Sequence, residues 1–333
     1  MPSQQTFCVA GQCFSLTLPE ALPPLRAHWA ITPRLRCQPP NKPPIQPSAS
    51  FWPTFRPPLD TGTDSQLLGT FHADACWLQL FSLPAGGRLI RMAPSAETAT
   101  TQTAVLHISA DFSQGRLFIP PQASAAQIVF ALNNAAMLLF AVSTATRGVL
   151  LVHASVVTHE QRGYLFMGRS GTGKSTHSRL WLRHIAHTAL LNDDNPALRI
   201  DDRGQAYVCG TPWSGKTPCY VAAEVPLGAI VKLQQAPYNR IQRLRPTAAY
   251  AAVLPGVSAM RWERTLADGS TIHYKPWWNT PQCSIWNACL TKVPPSSATK
   301  PFVSPGNHSC NRSGHMSQTA DTIAKVCPTR APA

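Results

Sequence analysis

Acidic residues are scarce in this chain and nearly vanish from its last part. Aspartate and glutamate number 15 against 29 lysines and arginines, a formal charge of +14 over 333 residues. After Glu263 the acids are Asp268 and Asp321 alone. Such a balance suits a nucleic-acid partner. No Lys/Arg cluster interleaved with aromatics lies on any one element, however, so nucleic acid is not expected. The ten cysteines form no C-x-x-C pair, which argues against a zinc site. His308, Cys310 and His315 are too isolated to change that. No basic segment followed by an apolar core opens residues 1–8, so no signal peptide is read there. The expectation is a cytoplasmic protein with reduced thiols. The apolar run 128–142 is interrupted by Asn133 and Asn134 and is short for a membrane span. It reads as a buried helix, and no membrane partner is expected.

What is present is an apolar share of 44%, enough for a core in one large domain or two ordinary ones. The most informative stretch is Gly168-Arg169-Ser170-Gly171-Thr172-Gly173-Lys174-Ser175. It fits the phosphate-binding pattern G-x-x-x-x-G-K-[ST] at every fixed position. Apolar 164–167 before it reads as a strand, and 176–187 after it reads as a helix. Strand, glycine turn and helix form the context in which backbone N–H groups converge on anionic oxygens, aided by the helix dipole. Ser170, Gly171, Thr172, Gly173, Lys174, Ser175 and Thr176 would then grip a nucleotide's phosphates behind Gly168. Lys174 would reach the β- and γ-phosphates, and the Ser175 hydroxyl would sit on Mg²⁺.

The rest of the chain divides around that stretch. Residues 1–123 read as a β-rich region. It opens with a hairpin over 7–18 and carries short strands at 76–81, 88–92, 104–108 and 116–119. The proline-rich stretch 39–58 reads as a loop or linker. Residues 124–146 read as a long helix ended by Gly148, and 149–157 as one strand covered on both faces. Short strands follow at 189–191, 197–200, 206–209 and 228–233, with a turn at 201–204. This makes an α/β chain with a catalytic domain over 124–266 and an irregular tail over 267–333.

Phosphoryl transfer asks for charge neutralisation and positioning more than for covalent help. Asp193 and Asp194, after apolar Leu190-Leu191, stand where a strand end would meet the phosphates. One would hold Mg²⁺ and the other would take the proton of an attacking hydroxyl. Asp-Asp-Asn is also ordinary turn chemistry, so a solvated loop or helix cap is the alternative. His153 stands in an apolar strand, where a satisfied core histidine is the usual outcome. The stretch Gly210-Thr211-Pro212-Trp213-Ser214-Gly215-Lys216-Thr217-Pro218 mixes rigid turn residues with donors. A phosphate- or substrate-facing loop and a structural loop are both open for it.

His153-Ala154-Ser155, the glycine stretch and Asp193-Asp194, at their spacing, resemble the catalytic domain of HPr serine kinase/phosphorylase. That family belongs to the phosphoenolpyruvate-carboxykinase-like P-loop group. Segments 175–182, 190–196 and 210–220 are similar to bacterial kinase-like relatives of uncharacterised substrate. The resemblance implies a carboxykinase-like P-loop fold and ATP-dependent transfer to a hydroxyl, with His153 near the moving phosphate. Thr176 stands where HPr kinases usually carry Glu, and their later arginine-bearing signature is not found. HPr itself is therefore not implied as the acceptor.

From about Gly269 the chain loses periodicity, and proline, serine, cysteine and tryptophan rise. Read from the third base of each codon, Trp277-Trp278-Asn279 forces Val-Glu, and Ile285-Trp286-Asn287-Ala288 permits Leu-Glu-Cys. A shifted reading frame accounts for both, with an ordinary disordered tail as the alternative. Sequencing the gene in its source is expected to show a displaced frame near codon 269; the same bases in an uninterrupted frame would remove the idea.

The phosphate-binding stretch and the acid pair, taken with what the resemblance implies, lead to the expectation of an ATP- and Mg²⁺-dependent kinase acting on a Ser/Thr hydroxyl of a protein or peptide. Asp193, Asp194, His153, Lys174 and Lys216 would carry the chemistry, and Ser175, Asp193 and Asp194 would serve the metal. A nucleotide-binding regulatory module, a small-molecule or peptide-tailoring kinase, and an inactive gene product are the alternatives. A homo-oligomer is left open.

Overall fold

A computed structural model describes residues 3–18, 49–54, 65–73, 76–100, 103–215, 217, 219–238, 240–258 and 284–290. Its first eight strands are β1 (Ser3–Val9), β2 (Gln12–Leu18), β3 (Ala49–Thr54), β4 (Gln66–Ala73), β5 (Cys76–Ser82), β6 (Arg88–Ala93), β7 (Ala104–Ile108) and β8 (Gln114–Phe118). They form one sheet in the order β1-β2-β3-β8-β7-β6-β5-β4. Its β2–β3 and β3–β8 pairs are parallel, and the other pairs are antiparallel.

The expected hairpin is present. A two-residue turn, Ala10-Gly11, has both φ angles positive, as the right-handed twist of the strands favours. The register sets Phe7 opposite Phe14 and Cys8 opposite Cys13, and the two cysteines are joined as a disulfide. Reduced thiols were the expectation for this pair. β3 falls inside the proline-rich stretch read as a loop; its neighbours on both sides supply a ladder that local composition does not reveal.

Helix α1 (Ala125–Thr144) begins at a capping box, in which Ser124 Oγ accepts from Gln127 N and Gln127 Oε1 accepts from Ser124 N. It is the one helix among the described residues long and apolar enough to cross a membrane. Leu132, Ala135, Leu139 and Phe140 are buried in a core that also takes in Phe7, Phe14 and Leu16 of the first sheet.

The second sheet uses β9 (Val149–Leu151), β10 (Ala154–His159), β11 (Arg162–Met167), β12 (Ala189–Asn192), β13 (Ala197–Ile200), β14 (Ala206–Cys209), β15 (Glu224–Gln235), β16 (Arg240–Arg243) and β17 (Ser284–Leu290). Helices α2 (Lys174–His184) and α3 (Pro246–Val253) lie between them in sequence. The order is β12-β10-β11-β15-β14-β13-β9, with β17 on β15 and β16 on β17. β9 and β10 are consecutive in the chain yet pair with β13 and with β11 and β12 respectively. The sheet must therefore curl until its two ends meet.

The single strand read over 149–157 is interrupted at Val152 and His153, between β9 and β10, and its antiparallel register is the same on both sides, with Leu151 opposite Ala197 and Val156 opposite Asn192. His153 sits in that interruption. A second break, 193–196, lies alongside it between β12 and β13. Val152 N donates to Pro196 O (3.0 Å) and Ala154 N to Asp194 O (2.9 Å), tying the two breaks together. β17 is a strand inside the tail read as irregular; it runs parallel to β15.

Candidate functional site

The glycine stretch is a turn between β11 and α2. Residues 164–167 of β11 are buried, so the strand end is a fixed platform. Gly168 is packed tightly; a Cβ there would stand 2.4 Å from Thr172 Oγ1 and 3.1 Å from Leu233 O. Gly171 and Gly173 have φ of +77° and +100°, a left-handed region that glycine enters without the strain an L side chain would meet, and among the described residues nothing lies within 4 Å of a Cβ placed on either. Gln235 Nε2 at the end of β15 donates to Gly171 O (3.0 Å) and steadies the turn. Lys174 Nζ lies over the turn, donating to Gly168 O at 3.1 Å.

α2 starts at Lys174, two residues before the expected helix, and has no side-chain cap and no acid in its first turn. Its buried face holds the helix against β11. His177 packs edge-on to Phe166 (4.5 Å), and Trp181 touches both Tyr164 (5.0 Å) and Phe166 (5.5 Å). Burial pushes the His177 imidazole down to about 4, so it is neutral near pH 7.

The acid turn follows β12. Fully buried Asn192 caps it, with Oδ1 accepting from Asp194 N at 3.0 Å. Its amide donates to Thr211 Oγ1 (3.1 Å), and that hydroxyl donates to Asn195 O (2.7 Å). The turn chemistry is therefore supplied by Asn192, and the two carboxylates are not spent on the turn's own backbone. Asp193 Oδ1 accepts from Ser155 Oγ and Oδ2 from Thr217 Oγ1, each at 2.6 Å. Asp194 Oδ2 accepts from Asn195 Nδ2 (2.9 Å), and Oδ1 lies 3.3 Å from His153 Nδ1. The Asp194 and His153 side chains are 33% and 44% exposed, which leaves both open to a ligand.

The two turns are joined by hydroxyls. Ser155 gives its proton to Asp193, so it accepts from Ser178 Oγ, 2.6 Å away on α2. Ser175 is three residues before Ser178 and shares its helix face. Asp193, Asp194 and His153 are thus brought together beside the helix that carries Ser175 and Thr176. Ser170 and Thr176 are exposed, and Thr172 holds the turn through Arg169 O. Lys216 lies outside the described residues. Sequence reasoning did not assign a role to Ser155, Ser178, Thr217 or Asn192. One signal was available: Ser155 is a single hydroxyl in the apolar run 154–157, and such a buried group needs a partner.

Magnesium takes hard oxygen donors, one or two carboxylates completed by phosphates and waters. Two aspartates and the Ser175 hydroxyl suit that chemistry. Among the described residues no group of three or more His, Cys, Asp and Glu side chains could hold a metal ion.

Neither a family model nor a curated protein matches this chain. Among solved structures it is similar in part to the HPr(Ser) kinase/phosphatase from Coxiella burnetii. The match has 11% identity, covers 42% of this chain and 85% of that one, and has a TM-score of 0.24. The likeness is weak and partial and carries no argument about activity. The architecture itself is mixed α/β, with a β-rich N-terminal sheet and a curled mixed sheet.

Proposed function

We propose that this protein is an ATP- and Mg²⁺-dependent kinase of the carboxykinase-like P-loop type that phosphorylates a Ser/Thr hydroxyl of a protein or peptide. The observation that carries the reading is the hydroxyl chain Ser178–Ser155–Asp193. It couples the helix behind an open glycine turn to an aspartate pair whose carboxylates are not used by their own backbone turn.

In this reading the backbone N–H groups of 170–176 hold the phosphates and Lys174 offsets their charge. Ser175 and Asp193 would hold Mg²⁺, which when bound neutralises the β- and γ-oxygens. Asp193 suits a ligand's role because two hydroxyls fix its carboxylate. Asp194 is the more accessible acid and takes the proton of the attacking hydroxyl. His153, paired with Asp194, orients that carboxylate and faces the moving phosphoryl group, with Lys216 as a further counter-charge.

Incubating the protein with labelled ATP and extract of its source cells is expected to label an acceptor. Lys174→Ala should lower that labelling by about 10²-fold or more, the usual cost of losing a charge-stabilising donor. Equal labelling by the two proteins would remove the kinase reading.

A further inference from the structure

The loop after β14 is built onto the acid turn. Thr211 bridges Asn192 and Asn195, and Asn195 N donates to Trp213 O (3.2 Å). Gly215 comes so close that a Cβ there would stand 3.0 Å from Asp194 Cβ and 3.1 Å from Asp193 O. Ser214 Oγ donates to Thr217 O (2.8 Å), which sets the backbone of Thr217. From that position the Thr217 hydroxyl reaches Asp193 Oδ2 at 2.6 Å, opposite the Ser155 hydroxyl on Oδ1.

A carboxylate oxygen accepts more than one hydrogen bond. Two short hydroxyl donors, one on each oxygen, fix the plane of the carboxylate and leave lone pairs on both oxygens. Partners of this kind orient metal-ligating carboxylates, and losing one typically costs about 10–100-fold in metal affinity.

We infer that Thr217 is a positioning residue: its hydroxyl, with that of Ser155, orients Asp193 as the divalent-cation ligand and makes cation binding depend on the seating of residues 210–215 and Thr217 against the acid turn. This rests on the kinase reading and adds to it the residue that controls the cation.

The test measures Mn²⁺ binding by electron paramagnetic resonance, with a non-hydrolysable ATP analogue present, in wild type, Thr217→Val, Thr217→Ser and Ser155→Ala. Wild type should bind one Mn²⁺. Thr217→Val and Ser155→Ala should weaken it by about 10–100-fold, and Thr217→Ser should bind within a few-fold of wild type. Analogue binding in EDTA should be the same in wild type, Thr217→Val and Thr217→Ser, which shows that the glycine turn is intact. Wild-type Mn²⁺ affinity in Thr217→Val overturns the inference and leaves the kinase reading standing. Equal weakening in Thr217→Val and Thr217→Ser also overturns it, because the hydroxyl would then not be the cause. A wild type that binds neither analogue nor Mn²⁺ overturns both.

Discussion

Asp194→Asn is expected to lower phosphoryl transfer by about 10²–10⁴-fold, the range that a positioned general base supplies, with ATP still bound. The amide keeps the shape of the carboxylate but cannot take a proton. In the native protein Oδ2 accepts from Asn195 Nδ2 and Oδ1 faces His153 Nδ1, so the carboxylate is held from both sides. An asparagine can keep one of these contacts through its carbonyl oxygen and will present its amide nitrogen to the other. The fold should survive, because Asp194 contributes its backbone carbonyl, and not its side chain, to the bridge with Ala154 N. Initial-rate transfer and equilibrium ATP binding, measured on the same preparations, check this. Undiminished transfer would deny Asp194 the role of base. Unaltered ATP binding with no transfer in either protein would favour a regulatory nucleotide-binding module.

Trp213→Ala is expected to cost about 3–5 kcal/mol of stability, as for other buried large aromatics. Trp213 is 5% exposed and lies between Phe14 (5.9 Å, stacked) and Phe140 (5.3 Å). Phe7 stacks on Phe14 at 5.4 Å and extends the cluster into the N-terminal hairpin. One side chain from the loop of the second sheet is thereby buried in the core of the first sheet and α1. Truncation would open a cavity where the two sheets meet and would loosen the loop that carries Thr217. Trp213→Phe should cost much less, since it retains most of the ring and removes an indole N–H that has no hydrogen-bond partner among the described residues. Urea unfolding of the three proteins measures both differences. A loss below about 1 kcal/mol in the alanine variant would show that the cluster contributes little.

The coupling between sheets explains why the candidate site was only partly readable beforehand. The glycine turn was legible because its pattern is local: a buried strand, glycines that tolerate positive φ, and a helix that starts on Lys174. Asp193 and Asp194 were legible for a similar reason, standing after Leu190-Leu191 at a strand end. Thr217 was not, because nothing within a few residues of it marks it as a donor to Asp193, 24 positions away. β3 and β17 were missed on the same ground. Their sequences are weak as isolated strands, and each exists by pairing with neighbours distant in the chain. The apolar run 149–157 was legible as a buried extended segment. Continuous hydrophobicity reports burial on both faces, but it does not report the local interruption at Val152 and His153, across which the pairing with 192–199 keeps its register.

By itself, the order of residues determined the hairpin, the capped apolar helix, the glycine turn and the acidic pair. Each depends on dihedral preference, capping or hydrophobic period over a few residues. Tertiary structure alone decided that His153 meets Asp194, that Ser178 reaches Asp193 through Ser155, and that Trp213 joins the two sheets. Those contacts exist because the second sheet curls and sets the strand interruptions at 152–153 and 193–196 opposite each other, and long-range closure of that kind leaves no periodic trace in the sequence.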